Sequence, residues 1–225
     1  EAKEDGVYRV TVRDLFNRYE STARHVYRLS IRKETPDFRL VAFAAALPGK
    51  KDAKDIGLGT PILRRGETLP LRVLAFRRDG FTGEIALSLE GLPAGVTSAN
   101  TKIGSGKTSA NVLLTAGEDA ANFTGPVKII GRSKSGNLEL VREARGGSLM
   151  WAVADPATEA VASRMTKNFF IAVCGTESVP ITVEPGEKNF YETASTNKLK
   201  IPLKIRRRGD FSAALNLKAT GVAAL

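Results

Sequence analysis

Histidine, cysteine and tryptophan each occur once in this chain of 225 residues, as His25, Cys174 and Trp151. A single cysteine excludes an intrachain disulfide and a thiolate metal cluster, and a single histidine excludes a His-ligated metal centre. A Cys–His couple would be the only nucleophile–base pair of that kind, and nothing in the sequence places His25 beside Cys174. Cys174 follows Phe169-Phe170-Ile171-Ala172-Val173 and reads as a small apolar residue of a strand core. His25 reads as structural or exposed. No apolar run approaches the ~20 residues that span a bilayer, so membrane insertion is not expected. A nucleophile elbow for serine catalysis is missing. Gly104-Ser105-Gly106-Lys107-Thr108 has Thr101 where a phosphate loop needs glycine, and strand alternation follows where that loop needs a helix.

Period-two alternation is what the chain does have, and helical periodicity is nearly absent. Tyr8, Val10 and Val12 oppose Arg9, Thr11 and Arg13, and Tyr27, Leu29 and Ile31 oppose Arg28, Ser30 and Arg32. Further strands are predicted over Phe38–Phe43, Pro61–Arg65, Leu69–Arg77, Glu84–Glu90, Ala110–Ala116, Val127–Gly131, Leu138–Glu143 and Phe169–Cys174. Turn signals such as Asp79-Gly80, Leu92-Pro93-Ala94-Gly95 and Ser135-Gly136-Asn137 separate them. Met150 and Trp151 read as strand residues, with Trp151 as a core anchor. Within 154–166 two helical turns compete with a long loop, which Pro156 and the lack of an apolar face favour. Short strands at this spacing predict an all-β fold, an antiparallel β-sandwich.

One pattern occurs twice, 130 positions apart. Leu69–Phe76 leads into Arg77, Arg78 and Phe81, then Ile85, Leu87, Leu89 and Gly91. Leu199, Ile201, Leu203 and Ile205 lead into Arg207, Arg208 and Phe211, then Leu215, Leu217, Ala219 and Gly221. Each copy reads as a β-hairpin with an Arg-rich turn, with Phe81 equivalent to Phe211 and both Ile85 and Leu215 buried. The second copy stops near Leu225, and the chain begins with Glu1 without a signal peptide. The expectation is a processed or excised piece of a longer multidomain protein.

Tyr8-Arg9-Val10-Thr11-Val12-Arg13-Asp14-Leu15, Val26-Tyr27-Arg28-Leu29-Ser30-Ile31 and Pro36-Asp37-Phe38-Arg39-Leu40 resemble the final strands of the bacterial pre-peptidase C-terminal (PPC) domain. Phe81-Thr82-Gly83-Glu84-Ile85-Ala86-Leu87, Gly91-Leu92-Pro93-Ala94-Gly95-Val96 and Thr115-Ala116-Gly117-Glu118-Asp119-Ala120 are similar to Ig-like modules of bacterial secreted proteins. The polar, charged run Pro48–Asp55 reads as a linker, placed over 47–56, and the resemblance implies a PPC-like C-terminal part over 1–46 before it, an Ig-like sandwich over 57–176 after it and the first strands of a second over 177–225. It places Phe123 where many Ig-like domains carry a corner tyrosine. It also implies a secreted, periplasmic or cell-surface setting.

The chain carries 34 Lys and Arg against 24 Asp and Glu, a net charge of +10. Lys198, Lys200, Lys204 and Arg206 alternate along one strand face and form the candidate anionic-polymer contact. Solvation and protection of a sheet edge explain the same charges. Few aromatics are interleaved with them, which speaks against a base-stacking nucleic-acid platform. Asp14, Asp37, Asp79, Asp119 and Asp155 read as loop or turn residues, where aspartate caps backbone groups, and no calcium-loop spacing joins them. Asn122-Phe123-Thr124 fits a glycosylation sequon. No catalytic residue, metal or cofactor is assigned. The first reading is a non-catalytic structural, spacer or adhesion module that contacts neighbouring domains of its parent protein. The alternatives are a carbohydrate or anionic-polymer binding module accessory to a secreted hydrolase, and a hydrolase with two carboxylates across a cleft.

Overall fold

The structure is a computed structural model that describes residues 4–12, 28–44, 56–58, 60–151, 162–186 and 198–217, with backbone alone at 56–58, 148–151 and 162–163. The chain divides into two units, Glu1–Glu34 and Thr35–Leu225. In the first unit, residues 4–12 and 28–34 form no strand. Val7, Val10, Leu29 and Ile31 are exposed, and the Tyr8 hydroxyl donates to the Glu4 carbonyl. The strands predicted there are not formed among the described residues. Alternation makes a segment amphipathic, but a strand exists only where a neighbour accepts its ladder of hydrogen bonds.

The second unit is all-β. Its first sheet runs in the order Ala162–Thr166 (β12), Arg145–Trp151 (β11), Asp37–Ala44 (β1), Thr68–Arg78 (β4), Ser109–Ala116 (β8) and Val96–Ser98 (β6), with Ile56–Leu58 (β2) also on β11. Its second sheet runs Ile62–Arg65 (β3), Phe169–Ser178 (β13), Phe123–Ser135 (β9), Ile85–Glu90 (β5) and Thr101–Ile103 (β7), with Leu138–Glu143 (β10) on β9. The sheets pack as a sandwich around Phe38, Leu71, Val73, Ile85, Leu114, Ile129 and Ile171, all buried. Pairing is antiparallel except for β1 with β11 and β3 with β13. The core comes from alternate residues of strands in both sheets, such as Leu71, Val73 and Ala75 on β4 and Val112, Leu114 and Ala116 on β8. Gly131 on β9 leaves no room for a side chain against the core: a Cβ there would meet Leu40 Cδ1 at 2.5 Å.

Four expectations are corrected. Phe38–Phe43 does not belong with the segment before it. Strand β1 pairs with β4 along its whole length, from Asp37 opposite Arg78 to Ala44 opposite Leu71, so the unit boundary falls at Glu34. Part of the stretch read as a long loop is strand β12, paired to β11. Cys174 is half-buried on the outer face of β13, where its Sγ lies 3.3 Å from Thr176 Oγ1, while Phe169, Ile171 and Val173 take the core face. The repeated pattern is not a hairpin. β4 and β5 lie in different sheets, so the Arg77–Phe81 turn carries the chain across the core. Both strands turn apolar faces inward, and two such faces bury more by stacking than by lying side by side. The expected linker lies outside the described residues, except that its last position, Ile56, opens β2.

Beyond β13 the chain makes a separate two-stranded sheet, Ile181–Pro185 (β14) with Leu203–Arg207 (β15). This pair repeats β1 with β4. β15 corresponds to β4 by the sequence repeat, and Ile181 lies opposite Arg207 as Phe38 lies opposite Arg77. Val183 opposite Ile205 likewise matches Leu40 opposite Ala75. The second copy forms no strand over residues 211–217, and Phe211 and Leu215 are only half-buried, against the expectation that Leu215 is core.

Candidate functional site

The described surface offers several chemically distinct places. The first is the ridge singled out from sequence. Lys204 and Arg206 share one face of β15, opposite Glu184 and Thr182 of β14. Lys198 and Lys200 sit on the unpaired chain leading into it, and all four are exposed. The opposite face of the same chain bears Leu199, Ile201, Leu203 and Ile205, each between 40% and 50% exposed. The charged face is therefore one side of a thin sheet whose apolar side is also open.

The second place is a groove of about 470 Å³ that brings Glu90 and Glu143 together with Lys128 and Asn168. It is one place where a two-carboxylate hydrolase would be sought, and a groove of about 500 Å³ lined by Glu67, Glu118 and Glu184 is another. Glu90 Oε1 already accepts from Arg132 Nη2 at 2.8 Å, and Arg132 Nη1 donates to Ser88 Oγ at 2.7 Å. Other carboxylates are committed in the same way: Asp37 to Arg142 at 2.9 Å, Glu84 to Lys102 at 3.0 Å and Glu67 to Arg64 at 3.3 Å. Asp79 Oδ2 accepts from a backbone group far along the chain, the Thr35 amide, at 3.1 Å. Asp14, His25 and Asp155 lie outside the described residues. Among the described residues no group of three or more His, Cys, Asp or Glu side chains gathers to hold a metal ion.

The third place was not found from sequence. A groove of about 610 Å³ on the outer face of the first sheet is lined by Arg39, Arg78, Arg142, Arg145, Phe76 and Met165, among others. Arg142 pairs with Asp37. Arg39 and Arg145 come from strands distant in sequence, and only the parallel β1–β11 pairing makes them neighbours. The sequence signal was present in part. Arg39 and Phe76 both occupy the polar phase of amphipathic strands, but the register that sets them opposite each other is not local information.

Arg77 has a structural task. Its Nη1 donates to the Gly83 carbonyl at 2.6 Å, its Nη2 to Gly104 at 2.9 Å and its Nε to Lys107 at 3.0 Å. The guanidinium lies 5.3 Å from the Phe81 ring centroid, and burial lowers its pKa from the ordinary arginine value. The Gly104–Thr108 segment is thus a turn clamped by Arg77, and β8 follows it as strand. Asn122, the sequon residue, accepts from the Gly175 amide at 2.7 Å through Oδ1, and Phe123 packs partly buried against the core.

No family model, curated protein or solved structure matches this chain. The fold defines the class: an all-β sandwich. The PPC and Ig-like resemblances rest on the turn and core motifs alone.

Proposed function

We propose that the chain is a non-catalytic structural or spacer segment built from repeated Ig-like β-sandwich modules of a multidomain protein, acting outside the cytoplasm. The observation that carries this reading is the repeated register: β14 and β15 pair as β1 and β4 do and end in the same turn. A chain that begins a second sandwich with the pairing of the first is organised as an array, in which each module contacts its neighbours. The joint supports the reading. Val179, at the start of the second copy, is 6% exposed, and its amide donates to the Arg65 carbonyl at 2.9 Å. Arg208 binds back to the Val179 carbonyl at 3.1 Å and to Glu118. The secreted, periplasmic or cell-surface location comes from the Ig-like and PPC-like motifs. The engagement of Asp37, Glu67, Glu84, Glu90 and Glu118 in ion pairs also favours a scaffold over acid–base chemistry.

The repeat supplies its own test. A chimera in which the chain from Gly209 onward is replaced by Asp79–Ser178 gives the second copy the strands that cover the first. The expected result is a second cooperative unfolding transition, with slow hydrogen exchange appearing at Val183, Leu203 and Ile205. Unprotected β15 amides and a single transition would remove the array reading.

A further inference from the structure

The outer face of the first sheet carries a straight row of guanidinium groups. Val41 of β1 is the register partner of Arg145 on β11, and Arg39 lies two residues before Val41 on the same face. Arg39 is opposite Phe76 of β4, and Arg78 lies two residues after Phe76, again on the same face. Arg145, Arg39 and Arg78 are therefore successive diagonal neighbours across three adjacent strands, about 7–8 Å apart at their Cα atoms. All three side chains are exposed, and none takes part in a hydrogen bond or ion pair among the described residues. Along one flank of the row run Val41, half-buried, and Phe76, 53% exposed. Along the other flank Asp37 is already held by Arg142, and the exposed Glu143 also lines the groove, leaving three unpaired guanidinium groups against one unpaired carboxylate among the described residues.

From this geometry we infer that the groove binds a linear polysaccharide bearing carboxylates, such as a uronic acid polymer. Guanidinium forks match carboxylates in a bidentate way, and three in a line at regular intervals select a ligand whose charges repeat at regular intervals. The apolar strip beside the row faces the carbon–hydrogen surface of the sugar rings, with Phe76 as its most exposed element. An acidic peptide is the poorer fit. It would gain most from adding a strand, and β1 is hydrogen-bonded on both edges, to β4 and β11, so this face offers no free backbone ladder. The inference stands apart from the array reading, since the row lies wholly within the first sandwich.

The test titrates the full chain with polygalacturonate, using neutral dextran and poly-glutamate as comparison polymers. Arg39→Gln, Arg78→Gln and Arg145→Gln together are expected to weaken polygalacturonate binding by about tenfold or more and to flatten its salt dependence. Phe76→Ala is expected to weaken binding several-fold while leaving the salt slope intact, which a bare charge field would not do. Lys198→Gln, Lys200→Gln, Lys204→Gln and Arg206→Gln together are expected to leave binding in place. Thermal unfolding of each variant, with Arg145→Gln alone as the mildest, separates lost binding from lost fold. Binding that survives the triple substitution, or is lost with the Lys198–Arg206 set, overturns the inference. So does an affinity for poly-glutamate equal to that for polygalacturonate, or no binding of polygalacturonate at all.

Discussion

The turn after β4 and the turn after β15 are built alike, yet the strands they leave have different fates. Arg77 Nη1 donates to the carbonyl six residues on, Gly83, at 2.6 Å, and Arg207 Nη1 donates to Ala213, also six residues on, at 2.7 Å. Arg77 lies over Phe81 at 5.3 Å and Arg207 over Phe211 at 5.8 Å. Even the left-handed turn position recurs, with Asp79 at φ 50° and Gly209 at φ 55°. But Leu71 and Val73 are fully buried, whereas their equivalents Ile201 and Leu203 are 50% and 46% exposed. The turn is a local device, closed by residues within a few positions of one another. Burial is not local. Leu71 and Val73 are dry because β5, β9 and β13 lie across from them, and the described residues set no such sheet over β15.

Phe81→Ala against Phe211→Ala gives the largest expected contrast. Phe81 is 4% exposed and stacks on Phe38 with ring centroids 5.3 Å apart, so its truncation should cost about 3–5 kcal/mol in urea unfolding. Phe211→Ala should leave the same transition nearly in place. Equal losses would mean that the second copy shares the folding unit of the first.

Val73→Thr against Leu203→Thr is the next step down. A hydroxyl at the fully buried Val73 position has core on every side, and its desolvation should cost about 1–3 kcal/mol. At Leu203 the hydroxyl meets solvent, and the midpoint should stay within measurement error. A loss at Leu203 as large as at Val73 would show that a covering layer already exists there.

The smallest contrast is Arg77→Ala against Arg207→Ala. Arg77 satisfies three carbonyls and Arg207 one, so the first should cost roughly 1–2 kcal/mol and the second less. Since the guanidinium stays protonated far above neutrality even with its pKa lowered, the Arg77 contribution should not change between about pH 5 and 9. A clear pH dependence in that window would point to a titrating partner instead.

Much of the fold could be read from alternation and turn chemistry. Strands β3, β4, β5, β8 and β10 fall within a residue or two of their expected bounds, because a strand with one dry face must alternate and the Asp79-Gly80 and Gly91 turns need positive φ. The short strands β6, β7 and β12 were missed, since three to five residues carry too little pattern to separate from loop. At the surface, the basic ridge was visible because Lys204 and Arg206 alternate within one strand. The Arg145–Arg39–Arg78 row was not, because it crosses three strands.

Alternation, turn residues and the internal repeat together set the all-β class, the strand faces and the two Arg–Phe turns, all of which depend on neighbours along the chain. Whether successive strands share a sheet or face each other across the core is settled by which arrangement buries both apolar faces, as with β4 and β5. The same long-range packing draws β1 into the sandwich, turns Cys174 outward and aligns three arginines from distant segments. None of these could be deduced locally, because register and layer partner are properties of pairs of strands, and pairs exist only once the chain has folded.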